Sequence, residues 1–278
     1  MTVWIIARLT FKEAVRRRIA LAALLLGLAF LAVFSLGLHL IIDRIIMQEG
    51  QMDAVESGAL FNFFTMAGLY VTNFLVIIMA ALVTAGALAG EIGSGAIQSL
   101  ATKPVHRAEI VLGKWLGFAA LLALYVLLMA GGLLLSVSLQ TGSAPPNIER
   151  GLALLYLQSL VMMSVTLAFS SALSTLAAGG AVFGLYGLAF IGSWVEQIGS
   201  FMDSQDAIQI GIITSLLMPS EAAWRRASFE MTSPLVQFLA GAPFISRSIP
   251  SPLMIWYAVF YVLVAVAVAV LIFQRRDL

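Results

Sequence analysis

The chain has 278 residues, of which 61% are hydrophobic and only 10% charged, against about 25% charged in ordinary globular domains. So few charges cannot solvate the surface of a soluble fold, and apolar blocks of about 20 residues, enough to cross a bilayer, recur along the sequence; the composition implies an integral membrane protein. The formal net charge of +1 says nothing about an acidic partner, because what matters in a membrane protein is which side of the bilayer the charges occupy; no nucleic-acid partner is expected, and the absence of cysteine excludes disulfides, thiolate metal sites and cysteine nucleophiles.

Residues 1–18, "MTVWIIARLTFKEAVRRR", place Trp4, Ala7, Phe11 and Ala14 at helical spacing, with Arg8, Lys12 and Arg16 stacked beside them. This is the pattern of an interfacial amphipathic helix whose basic residues meet lipid headgroups. The apolar run 19–42 is longer than the 7–15 residues of a signal-peptide core and reads as a retained first span. Residues 43–56 are polar and net acidic, and from Ser57 to Gly90 there is no charge. Within that stretch Phe61 to Met66 reads as interfacial and 68–89 as the second span.

The polar segment 91–112 leads to a third span at 113–138, which ends at the turn-rich "QTGSAPPNIER". From Gly151 to Val195 no charged side chain occurs; one helix there would be roughly 68 Å long, more than twice a hydrocarbon core of about 30 Å. Two spans, 152–174 and 179–195, must share it, with the break expected at "STLAAGGA", where adjacent glycines weaken a helix. Residues 196–252 are mixed, and their short apolar pieces, "AIQIGIITSLLMP" and "PLVQFLAGAPFIS", suit re-entrant or interfacial helices. The last span is 253–273, followed by "QRRDL".

Six spans put both termini on one side. That side holds ten basic residues against four acids (Glu13, Glu91, Glu109 and Asp277), and the other holds five basic residues against ten acids. The excess of Lys and Arg makes the first side cytoplasmic. On this reading no Asp, Glu, Lys or Arg lies in the middle of a span, which argues against ion-coupled transport and against a membrane hydrolase. His39 and His106 have no second histidine or acidic cluster at ligand spacing, so no metal site is expected. No G-x-x-x-x-G-K-[ST] occurs, so a nucleotide-driven motor would be another polypeptide. Ser159, Ser164, Thr166, Ser170, Ser171, Ser174 and Thr175, with Gly180, Gly184, Gly187 and Gly192, fit either close helix packing or a mildly polar wall of a translocation path. Phe61, Phe63, Phe64, Trp194 and Trp256 suit a hydrophobic cargo or interfacial anchoring.

Residues 90–114, "GEIGSGAIQSLATKPVHRAEIVLGK", are cytoplasmic by the charge count. Glu91 to Thr102 can form a short helix with Ile92, Ala96 and Leu100 as its apolar stripe, and Pro104 ends it. Such a tethered helix either docks on a partner and passes motion to the membrane or lies on the headgroups.

The run "GEIGSGAIQSLATKPVHRAEIVLGKWLG" resembles the signature of ABC-2 type transporter permeases: Glu closing span 2, Gly and a short apolar helix, Pro with a basic residue, and Gly-Lys opening span 3. "IARLTFKEAVRRR", "LLMPSEAAWRRA" and "FQRRDL" agree, and together they cover the chain. The pattern is similar to the six-span branch that includes the permease of the nitrous oxide reductase maturation system. The resemblance implies an all-α integral membrane protein of six transmembrane helices, with an N-terminal amphipathic connecting helix, a cytoplasmic coupling helix and short external helices between spans 5 and 6, as in type V exporters. It further implies a cytoplasmic (inner) membrane location, a second permease copy, and two separate ATPase subunits that carry ATP and Mg; this chain would hold no cofactor and perform no catalysis. Glu91, Gly95, Lys103, Pro104, Arg107 and Lys114 would couple the chain to the ATPase. The maturation branch adds a reading in which the chain transmits force to a periplasmic partner instead of moving cargo; a membrane anchor without ATPase coupling is the rival outside transport. Ala96 replaces the Thr of many relatives, and the loop between spans 4 and 5 carries no charge for a second ATPase contact.

Overall fold

In the computed structural model, the structure describes residues 2–48, 54–93, 106–233 and 248–276. Regular structure among them is helical throughout, and six stretches are long and apolar enough to cross a membrane. Helix α1 (Thr2–Arg16) is parted from α2 (Arg18–Gln48) by Arg17 alone. Helix α3 (Ala54–Ala85) is continuous, so Phe61 to Met66 belongs to the same helix as the apolar run after it; a turn at 86–88 separates α3 from the short α4 (Ala89–Gly93). Helix α5 (Arg107–Val126) passes through a π-helical turn, Leu127–Gly131, into α6 (Gly132–Thr141), which stops at Gly142 in the left-handed region (φ 68°). Glycine takes that conformation without the Cβ clash that penalises other residues.

Helices α7 (Ile148–Ala172) and α8 (Thr175–Phe201) divide the long charge-free stretch. The break falls at Leu173 and Ser174, ahead of Gly179 and Gly180, which lie inside α8. Its cause is an N-cap: the Ser174 hydroxyl accepts from the Ala177 N–H at 3.5 Å, satisfying one of the donors a helix start leaves unpaired. Helix α8 runs on past Val195 to Phe201, and so takes Glu196 into its last turns. Then follow α9 (Gln205–Leu217), α10 (Ser220–Met231) and the last span, α11 (Pro252–Arg275). The expected apolar piece at 234–246 lies outside the described residues.

Helix α1 packs along α5 by its smallest side chains. Ala7, Thr10 and Ala14 are buried, and a Cβ on Gly117 would come 2.6 Å from the Ala7 carbonyl, so the helices touch backbone to backbone. Trp4 points away, 74% exposed; an indole there suits the membrane–water boundary better than a contact glycine makes narrow.

Helices α9 and α10 form a hairpin that enters the bundle and leaves it again. Antiparallel to α8, α9 approaches so closely that a Cβ on Gly199 would meet Ala207 at 2.6 Å, and one on Gly211 would meet the Gly192 carbonyl at 2.7 Å. At the tip, Tyr257 and Tyr261 of α11 donate to the carbonyls of Leu216 and Leu217 at 2.6 and 2.7 Å. Tyr261 is nine residues into α11, about 14 Å along its axis. From there α10 returns along α7 until Met231 covers Gly151 and the Asn147 amide donates to the Glu230 carbonyl at 3.3 Å. Backbone polar groups that lie away from water need partners within the protein, and the two tyrosines supply them for the Leu216 and Leu217 carbonyls.

Candidate functional site

At one end of the bundle the ends of α3, α5, α7 and α11 are stitched together around α4. The Ser170 hydroxyl of α7 donates to the Ala85 carbonyl at 2.8 Å and accepts from the N–H groups of Leu88 and Ala89 at 3.2 and 3.1 Å. It serves both the last carbonyls of α3 and the first donors of α4, the groups that helix ends leave without intrahelical partners. Glu91, one turn further on, meets Lys114 of α5 at 2.5 Å across 23 residues of sequence. The Lys114 side chain is 5% exposed and that of Glu91 22%, so the pair is shielded at the end of an apolar bundle and holds α4 against α5.

The start of α5 is fixed independently. Its first free donor, the His106 N–H, is taken by the Glu109 carboxylate at 3.3 Å, a local cap. The Arg107 guanidinium donates to the carbonyls of Gln274 and Arg276 at 3.1 and 2.7 Å, where α11 ends. A cation at those orphan carbonyls also meets the negative end of the helix dipole. Arg276 in turn donates to the Ser171 carbonyl at 2.7 Å. Residues on both sides of 94–105 are therefore anchored: Glu91 by the ion pair, Arg107 by the chain's last helix. Of the expected coupling residues, the structure brings Glu91 and Lys114 together and sets Arg107 on α11; Gly95, Lys103 and Pro104 lie outside the described residues. Ser170, Ser171 and Arg276 were not singled out for this role by the sequence. Ser170's useful signal, a hydroxyl two residues from a helix end, is shared with its neighbours.

The hydroxyls of α7 resolve the choice the sequence left open toward packing. Ser159, Ser164, Thr166, Ser170 and Ser171 are buried, Trp115 donates to Ser164 at 2.8 Å, and Thr166 and Ser171 return to carbonyls of their own helix at 2.7 Å. The glycines of α8 divide. Gly192 is covered by Thr214 of the hairpin, whereas among the described residues a Cβ on Gly180, Gly184 or Gly187 would meet nothing within 4 Å.

A second polar cluster lies toward the opposite end, where the hairpin seats. Arg225 of α10 stands 2.7 Å from Glu196 of α8, both side chains 4% exposed. The Ser248 hydroxyl also donates to Glu196, and Arg225 donates to Ser215 at 3.3 Å. One turn before Arg225, the Glu221 carboxylate accepts the Tyr186 hydroxyl at 2.5 Å. Helix α8 extends over Glu196 in its last turns, and the hairpin carries Glu221 and Arg225 inward, so these three ionisable groups are buried although none of them lies in the middle of a span. Among the described residues no group of His, Asp and Glu could hold a metal ion.

These features define a class: a multi-pass, all-helical membrane protein with its buried charges gathered near the two ends of the bundle. A family model described as ABC-2 family transporter protein matches residues 4–278, and the chain belongs to that family. It is thus a membrane permease component of an ABC transporter, not itself the catalytic part, and membership implies association with an ABC ATPase. No curated protein matches the chain.

Proposed function

We propose that the chain is the membrane subunit of an ATP-driven exporter of the cytoplasmic membrane, with both termini cytoplasmic, and that it receives the motion of a separate ATPase through residues 91–112. The observation that carries this reading is the anchoring of that segment: Glu91 is held to α5 by Lys114, and Arg107 is held to the end of α11. A push between two such anchors reaches three spans, α3, α5 and α11, without first being absorbed by slack. Gly95, Lys103 and Pro104 fall within the part that would meet the ATPase, which binds ATP and Mg. Because the chain has no cysteine, a single cysteine at Gly95 reports this contact cleanly. G95C is expected to crosslink to the ATPase subunit in the assembled transporter while G142C, at the far end, does not; equal yields at both positions would remove the assignment.

A second copy of the chain fits the bare glycine face of α8. Gly180, Gly184 and Gly187 recur at helical spacing, and among the described residues a Cβ on any of them would have open space around it; small residues at that spacing let spans approach closely. G184L is expected to shift the permease from dimer to monomer in mild detergent, measured by light scattering; an unchanged dimer would place the contact elsewhere.

The force-transmitting reading has its own support. The interior beside the hairpin is filled by rings, with Phe74 against Tyr70 and Phe190 at 5.1 and 5.5 Å and Trp224 against Tyr70 at 5.8 Å. An interior packed in this way suits a lever acting on a periplasmic partner. The two readings part on whether ATP turnover moves a solute across proteoliposomes.

A further inference from the structure

Three buried ionisable side chains meet where the hairpin enters the bundle: Glu196 at 3%, Glu221 at 3% and Arg225 at 4% exposure. They comprise two carboxyls and one guanidinium. Arg225 is paired with Glu196, which leaves Glu221 with the neutral Tyr186 hydroxyl as its hydrogen-bond donor. The neighbouring cation on α10, Arg226, is engaged elsewhere, by the Glu230 carboxylate at 2.6 Å and the Pro250 carbonyl at 3.3 Å. Helix α8 contributes Tyr186 and Glu196, α3 contributes Tyr70, and α11 contributes Tyr257 and Tyr261, both engaged at the hairpin tip. Helix α7 has its charges, Glu149 and Arg150, in its first turn, where Arg150 faces Glu230 at 3.7 Å; on α9 the acid is Asp206, in the first turn away from the tip. A carboxylate buried without a cation is costly, and taking up a proton removes that cost.

We propose that Glu221 is a proton-binding site: it holds a proton while the α9–α10 hairpin is seated in the bundle and releases it to water on the far side when the hairpin moves out. The carboxyl O–H breaks, the proton passes to water, and the carboxylate left behind is then hydrated. Burial pushes the Glu221 carboxyl up to about 7, with the Tyr186 hydrogen bond and the Arg225 charge acting against that rise. The sign follows. Seating is fully favoured at pH below the ordinary glutamate range and weakens as pH rises to about 7, by on the order of a hundredfold in the seating equilibrium. This inference does not depend on the ATPase reading, since it concerns the permease chain alone.

The test uses the full-length chain in lipid nanodiscs, spin-labelled through I210C on the hairpin and L139C on α6. The wild-type background is expected to show one inter-label distance at pH 5 and a second, growing population by pH 8. E221Q should keep the seated distance at both pH values, and Y186F, which removes a hydrogen bond to the ionised form, should move the midpoint upward. Identical wild-type distributions at pH 5 and 8, or an E221Q variant that follows the wild type, would overturn the proposal. Infrared spectroscopy of the unlabelled chain guards against a variant that does not fold. A protonated carboxyl stretch, assigned by its displacement in E221D, should be present at pH 5 and bleach by pH 8; its absence at pH 5 would equally overturn the assignment.

Discussion

Replacing Arg225 by leucine is expected to cost about 3–5 kcal/mol of stability, because it strands the Glu196 carboxylate in the bundle without its cation. The pair is almost wholly enclosed and spans α8 and the hairpin, so the loss should appear as reduced folded yield and a lower unfolding temperature in detergent. The double variant E196L/R225L should recover most of it. Removing both charges at once leaves no unpaired ion, and apolar side chains of similar volume often replace a buried pair at little cost. If the single and double variants unfold alike, the pair does not hold the hairpin and the close glycine contacts of α8 with α9 do so instead. The cycle is informative because the two residues touch, the condition under which mutational effects stop being additive.

That pair also marks where the sequence ceased to be legible. Six long apolar stretches, the amphipathic start and the polar segment after the second span are all written in local composition, because a spanning helix must be apolar over its own length. Glu221 and Arg225 are different. Their helix, "SEAAWRRASFEM", is short, polar and follows a proline, so its own pattern is that of a segment in water. Its burial follows from the tight fit of Gly199 and Gly211 between α9 and α8 and from two tyrosines that satisfy the tip, contacts between residues far apart in the chain. The same reason explains Ser170. Nothing near it in sequence distinguishes it from Ser171 or Ser174, yet it alone of the three bonds both sides of the turn before α4. Conversely, Glu91, Arg107 and Lys114 were legible as charges at the edges of apolar runs, although their partners were not. The glycine pair in "STLAAGGA" weakens a helix, yet it lies inside α8, and Ser174, five residues ahead of it and a strong N-cap residue, is what starts the helix.

On the proposed function, residues 91–112 carry work from the ATPase into the membrane through anchors at Glu91 and Arg107. Charge reversal at Glu91 faces Lys114 with a like charge in a shielded site, and reversal at Lys114 does the same to Glu91. Either change should loosen α4 from α5 at a cost of about 3–5 kcal/mol, as for other enclosed pairs left uncompensated. Because the loss falls on a local contact at the end of the bundle, the spans themselves should still assemble. R107E, by contrast, should weaken coupling without touching this pair, since its partners are the carbonyls closing α11.

The decisive measurement is permease-dependent ATPase activity of the reconstituted transporter carrying E91K, K114E and the swap E91K/K114E. Each single reversal is predicted to lower the stimulated rate at least about tenfold, a difference of about 1.4 kcal/mol, with the complex still co-purifying, and the swap is predicted to restore most of it. Stimulation at the wild-type level in E91K and K114E, with assembly intact, would contradict the account.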